Sequence, residues 1–190
     1  MKANGPGQSS LLLLDLINIF QKYNISYAVI GAFAASFYGV VRASMDADAL
    51  ISFDKKESGE LIQELEGLGF KVIERKGSFD DPVLGVITVQ DVYNNQVDLL
   101  RGIRGMDKDF FMRTSEASFQ GVKIQIAGIE DFIAMKIFAG SVKDIEDVKG
   151  VFQVSMKEVD LNLLRDLTQK YGQEELRKLE HLLEQSTLIP

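Results

Sequence analysis

The chain has 190 residues, of which 46% are hydrophobic, 26% charged and 9% aromatic, and it contains no cysteine. That composition excludes disorder, collagen and coiled-coil architectures, and the lack of cysteine excludes disulfide scaffolds, thiolate zinc sites and cysteine nucleophiles. With 21 Lys and Arg against 28 Asp and Glu, the net charge is −7, so any grip on nucleic acid must come from a local basic patch.

Residues 1–10 (MKANGPGQSS) are small and polar, lack the order of a signal peptide, and read as a frayed tail. The longest apolar runs, such as Leu11–Leu14, fall far short of the roughly 20 residues of a spanning helix. No membrane contact and a cytoplasmic location are expected. Ser9 and Ser10 are candidate caps for a helix to about Tyr23, with Leu12, Leu13, Leu16, Ile17 and Phe20 on one face.

Tyr27–Ile30 reads as a buried strand ended by Gly31, and Ala32–Tyr38 as a short helix closed by Gly39. Asp48–Phe53 is a second strand. Asp54 begins a helix carrying Leu61, Ile62, Leu65 and Leu68 and stopping at Gly67 and Gly69. Phe70–Glu74, Gly85–Gln90, Gln96–Leu100 and Val122–Ala127 are further strands, with Arg75–Pro82 a mobile loop. The period then changes. Ile129–Ala139, Ile145–Phe152, Leu161–Tyr171 and Glu174–Gln185 read as helices, the third capped by Asp160 and stopped by Gly172. The expectation is an α+β fold: a mixed β-sheet packed with helices over residues 1–127, then a helical part over 128–190.

The chemistry concentrates in Tyr27–Phe53, YAVIGAFAASFYGVVRASMDADALISF. On a strand, Asp46 and Asp48 leave one face while Ala47 and Ala49 leave the other. Two such carboxylates repel unless a cation lies between them, and hard Mg²⁺ or Mn²⁺ ions take oxygen ligands. Gly31 opens a helix, where glycine lets the backbone approach a phosphate closely. Arg42 could pair with a polyphosphate or simply with a carboxylate. Asp98 is a charge inside an otherwise apolar strand, so a cation or donor partner is expected. A second D-x-D, Asp107 and Asp109, sits in a charged turn and reads as solvated surface.

The order strand, Ile30-Gly31-Ala32, Gly39, Arg42-Ala43-Ser44-Met45-Asp46-Ala47-Asp48 and a later Asp98 resembles the DNA polymerase β-like nucleotidyltransferase superfamily. Within it, the order is similar to that of the small bacterial members that include the toxins of type IV abortive-infection systems. Ile129-Glu130-Asp131-Phe132-Ile133-Ala134-Met135-Lys136, followed by Lys143-Asp144 and Asp147, is similar to a further segment of that family. Ala32 departs from the usual second Gly or Ser, Ser44 stands for Thr, and Ala47 is smaller than usual.

The resemblance implies a nucleotidyltransferase-like mixed sheet and transfer of a nucleoside monophosphate from an NTP to an acceptor hydroxyl. It implies Asp46, Asp48 and Asp98 as catalytic, metal-holding carboxylates for Mg²⁺ or Mn²⁺. Gly31, Ala32, Arg42, Ser44 and Lys136 become the nucleotide-binding residues. It also implies a tRNA or other RNA acceptor and a cognate antitoxin or partner protein as candidate partners. The alternative is a catalytically quiet nucleotide- or partner-binding module of the same fold.

Lys136 has a second reading, a lysine stretched along apolar surface, and Asp144 with Asp147 reads as a solvated or capping pair. Arg101, Arg104, Lys108 and Arg113 form a basic cluster that could touch RNA. His181 is expected at the surface, and Phe33, Phe37, Phe132 and Phe138 in the core.

Overall fold

The computed structural model describes residues 2–42, 44–52 and 55–187. Phe53 and Asp54, expected as a strand end and a helix start, lie outside the described residues. In chain order the elements are α1 (Ser9–Lys22), β1 (Ser26–Ile30), α2 (Gly31–Phe37), β2 (Asp46–Ser52), α3 (Lys55–Gly67), β3 (Lys71–Lys76), β4 (Gly85–Gln90), β5 (Gln96–Leu100), β6 (Ser115–Phe119) and β7 (Val122–Ile126). Four helices follow: α4 (Ile129–Ala139), α5 (Val142–Ser155), α6 (Leu161–Tyr171) and α7 (Gln173–Thr187).

The strands form one mixed seven-stranded sheet in the order β3-β4-β5-β2-β1-β7-β6. β2 pairs with β5, and β1 with β7, in parallel, while the other neighbours are antiparallel. Alternation gives the sheet two unlike faces. Ala47, Ala49, Ile87, Val89, Val97 and Leu99 are buried, whereas Thr88, Gln96, Asp98 and Leu100 on the other face are half-buried. α1 packs on β2 and β5 through Leu12, Leu13, Leu16 and Ile17, which are almost fully excluded from water. α2 packs on β1 and β2, and α4 is enclosed by α5, α6 and α7.

Several expectations change. α1 has no side-chain cap, because Ser9 is used elsewhere. Its hydroxyl donates to the Met45 carbonyl at 2.6 Å and accepts from the Gln96 amide at 3.1 Å, tying α1 to the approaches of β2 and β5. The preceding residues are held rather than frayed. The Gln8 amide donates to Asn95 Oδ1 at 2.6 Å, and Asn95 Nδ2 donates to the Gly5 carbonyl at 2.9 Å.

β2 starts at Asp46, two residues earlier than read, because Asp46 pairs with Gln96. β6 was not expected at all. The Arg75–Pro82 loop is partly strand, and Arg104 pins the remainder by donating to the Ser78 and Asp81 carbonyls at 2.9 and 2.6 Å. Asp160 does cap α6, accepting from the Asn162 and Leu163 amides.

Candidate active site

Register sets the acidic residues in a row. Asp48 lies opposite Asp98 on β5 and opposite Ile30 on β1, and Thr88 of β4 lies opposite Asp98. Asp98 finds its partners in neutral donors. Thr88 Oγ1 donates at 2.7 Å, and Gln96 Nε2 reaches both carboxylate oxygens at 3.2 Å. Ser44 Oγ donates to Asp46 Oδ1 at 2.8 Å.

Asp46 and Asp48 face a cavity of about 480 Å³ whose wall also holds Gly31, Ala32, Arg42, Ser44 and Lys136, joined by Met45, Lys143 and Asp144. Asp98 is one strand over and off that wall. Gly31 has φ +66°, and a Cβ there would overlap the Asp48 carboxylate, so only glycine permits both backbone and carboxylate as they stand.

An ion network runs from the cavity wall to the buried Asp147. Arg42 donates to Asp147 from Nε at 2.9 Å and from Nη2 at 3.2 Å. Lys136 Nζ contacts Asp144 at 2.6 Å and Asp147 at 2.8 Å. Of the two options for Arg42, the carboxylate is therefore the one present. Lys136 is 8% exposed and Asp147 only 1%, so Lys136 does not stretch to solvent and Asp147 is not a solvated surface residue. Asp144 does cap: it forms a reciprocal capping box with Ser141 at the start of α5. Burial acts against ionisation of Asp144, but hydrogen bonds from Lys136 and Ser141 hold its carboxyl below the usual range. Nothing in the sequence linked Asp147 to Arg42, 105 positions away.

Outside the cavity, one surface expectation fails. Asp107 is buried and paired with Arg113 and Lys170, not solvated. Three members of the basic cluster are engaged by protein groups. Arg101 meets Glu74, Arg104 meets backbone carbonyls, and Arg113 meets Asp107 and Asp131. His181 is exposed, 2.8 Å from Gln185. Phe132 is core, and Phe33 and Phe37 pack against it. Phe138 instead stacks on Tyr171, with centroids 4.8 Å apart, and lines a second cavity of about 360 Å³.

Burial first, and then the Asp46 and Asp98 charges, push the Asp48 carboxyl up to about 6, while Lys136 and Arg42 pull it the other way. The donor set suits a hard divalent cation: oxygen ligands on one strand face, in mutual repulsion that a cation relieves. Among the described residues no three His, Cys, Asp or Glu side chains converge as a ready-made metal cluster. Asp46 and Asp48 are the pair facing the cavity, and Asp98, hydrogen-bonded to Thr88 and Gln96, lies beside Asp48 on the next strand.

The raised Asp48 carboxyl predicts an unusual pH response. The folded protein binds this proton more tightly than the unfolded chain, so stability is diminished above about pH 6 and recovers as pH falls toward ~4. In divalent-free buffer, unfolding free energy is expected to rise by about 1–2 kcal/mol between about pH 7 and pH 5, after discounting for partial exposure. Denaturant titration at both pH values checks this, and Asp48→Asn should remove the effect.

A seven-stranded mixed sheet with paired aspartates beside a glycine-opened helix defines a nucleotidyltransferase-like fold. Over residues 12–186 the chain matches the family model described as nucleotidyltransferase of unknown function (DUF6036), and it belongs to that family. No curated protein matches it.

Among solved structures, it is similar to the antibiotic-resistance factor ANT(2″)-Ia in solution, with TM-score 0.60 and 15% identity over 92% of this chain and 96% of that one. It is similar to the lincosamide antibiotic adenylyltransferase LnuA at TM-score 0.50 and 15% identity, over 80% of this chain and 100% of that one. An antigenic nucleotidyltransferase-like protein from Paracoccidioides brasiliensis aligns at TM-score 0.52 and 15% identity, over 96% and 95%. At such identity these likenesses establish the fold. Among the described residues no helix is long and apolar enough to cross a membrane.

Proposed function

We propose that the chain moves a nucleoside monophosphate from an NTP to an acceptor hydroxyl with release of pyrophosphate, using Mg²⁺ or Mn²⁺. The observation carrying this reading is that Asp46, Asp48, Gly31, Ala32, Arg42, Ser44 and Lys136 share one cavity. Asp46 and Asp48 would hold the cation, with Asp98 as the third carboxylate from the next strand. Three carboxylates and three basic side chains line that cavity, which leaves no surplus positive charge for a triphosphate. When bound, the divalent ion supplies that charge and lowers the pKa of the acceptor hydroxyl.

The chain's own residues do the positioning. Gly31 lets backbone N–H groups approach the β- and γ-phosphates. Arg42 and Lys136 are held by Asp147 and so meet the phosphates from fixed positions, and Ser44 orients Asp46. In the transfer, the acceptor oxygen bonds to the α-phosphorus and the bond from that phosphorus to its bridging oxygen breaks. Pyrophosphate leaves with the electron pair, and the hydroxyl proton passes to a carboxylate of the row, Asp98 by family resemblance.

A small-molecule hydroxyl is favoured over an RNA end. ANT(2″)-Ia has been solved with adenylyl-2″-tobramycin and LnuA with lincomycin, and here Arg101, Arg104 and Arg113 are occupied by protein groups. Label transfer from α-labelled NTP tests the reaction. Asp48→Asn should lower the rate at least about a hundredfold with the fold intact by circular dichroism; full turnover in that variant would overturn the mechanism. One observation favours the quiet module instead: Arg42 and Lys136 already hold buried carboxylates. Joint stabilisation by Mg²⁺ and NTP without any transferred label would support that second reading.

A further inference from the structure

The second cavity, of about 360 Å³, shares Gly31, Asp48, Lys136 and Asp144 with the first, and its other walls are different in kind. Val83, Leu100, Ile103, Phe132, Met135 and Phe138 present apolar surface. The walls are built. Val83 bridges to Ile103, the Leu84 amide donates to the Gly102 carbonyl at 3.0 Å, and Phe138 is fixed by its stack on Tyr171. The charged side chains lining it are Asp48, Lys136 and Asp144, and all three also line the first cavity. A ligand filling this space therefore has an apolar body and a polar handle at the shared end, beside Asp48.

Resting on the nucleotidyl-transfer reading, we propose that this cavity is the acceptor subsite and that the acceptor is an uncharged alcohol with an apolar body. A polycationic amino sugar would need carboxylates spread along its length, and these walls supply none beyond the shared end. A nucleobase would need hydrogen-bonding partners around its edge, and the apolar walls offer no side chains for them. The reaction on this acceptor is the one written above: its oxygen joins the α-phosphorus, pyrophosphate departs, and its proton goes to the carboxylate row.

The test uses the whole protein and the fluorescent alcohol naphthylethanol, with binding of each of the four Mg²⁺-NTPs measured in parallel by calorimetry. Ala139 is an exposed residue on the cavity rim, outside the catalytic set, so Ala139→Trp should fill the mouth without disturbing the core. Saturable naphthylethanol binding, insensitive to adenosine and to an aminoglycoside, is expected. Ala139→Trp should weaken it at least about tenfold while Mg²⁺-NTP binding stays unchanged.

Mg²⁺-NTP binding without naphthylethanol binding overturns the subsite alone. Displacement of naphthylethanol by adenosine makes the cavity a base pocket and likewise overturns it, and displacement by the aminoglycoside overturns the uncharged class. Naphthylethanol binding when none of the four Mg²⁺-NTPs binds overturns the acceptor role by removing the reading beneath it.

Discussion

Arg113→Met is expected to lower the unfolding free energy by about 3–5 kcal/mol, the range for leaving a buried carboxylate without its partner. Arg113 donates to Asp131 from Nε at 2.7 Å and Nη2 at 2.9 Å, and to Asp107 from Nη1 at 2.9 Å. Asp131 and Asp107 are 4% and 8% exposed, so water cannot replace the guanidinium. Asp107 keeps Lys170 in the variant, and the loss falls mainly on Asp131, in the first turn of α4.

Lysine cannot reproduce the forked contact, so Arg113→Lys should recover only part of the loss. The stabilisation persists under mild acid. Lys170 first, and then Arg113, hold Asp107 far below the usual carboxylate range, so its contribution is present above the unfolded value near 4 and lost only as pH falls below it. Urea unfolding at neutral pH reads the effect; a cost under about 1 kcal/mol would show that the cluster is not the anchor of α4.

Gly31→Ala should cost modest stability and be severe in turnover. The left-handed φ of +66° costs an alanine about 1–2 kcal/mol. The new methyl also lands on the Asp48 carboxylate, and displacement of a reacting group by about 1 Å can cost roughly a hundredfold in rate. Gly69 supplies the control, having φ +88° and nothing within 4 Å of a Cβ. Gly69→Ala should cost similar stability and leave turnover untouched. Equal activity losses in both variants would mean that backbone strain, and not contact with Asp48, is responsible.

What the sequence made legible follows from the range of the forces involved. β4, β5, α4 and α6 were readable end to end because alternation, helical period and the Asp160 cap are local signals. That Asp98, one charge in an apolar strand, needs a cation or a donor was legible, and the donors are Thr88 and Gln96; its register opposite Asp48 rests on strand pairing between distant segments. β6 was missed because its segment, SEASF, is polar and mostly exposed, so its pairing with β7 leaves little apolar alternation. The Arg42–Asp147–Lys136 network joins residues that only tertiary packing brings together. Asp107 was misread for the same reason, since Lys170 lies 63 positions further on.

The anchoring of residues 5–8 through Asn95, and of Ser9 through Met45 and Gln96, extends the reach of the carboxylate site to a stretch that carries none of its chemistry. Met45 immediately precedes Asp46, and Gln96 grips Asp98. Protease trimming back to α1, or a bulky fusion wedged against Gly5, would therefore register as altered aspartate geometry, an apparent catalytic defect whose origin is mechanical.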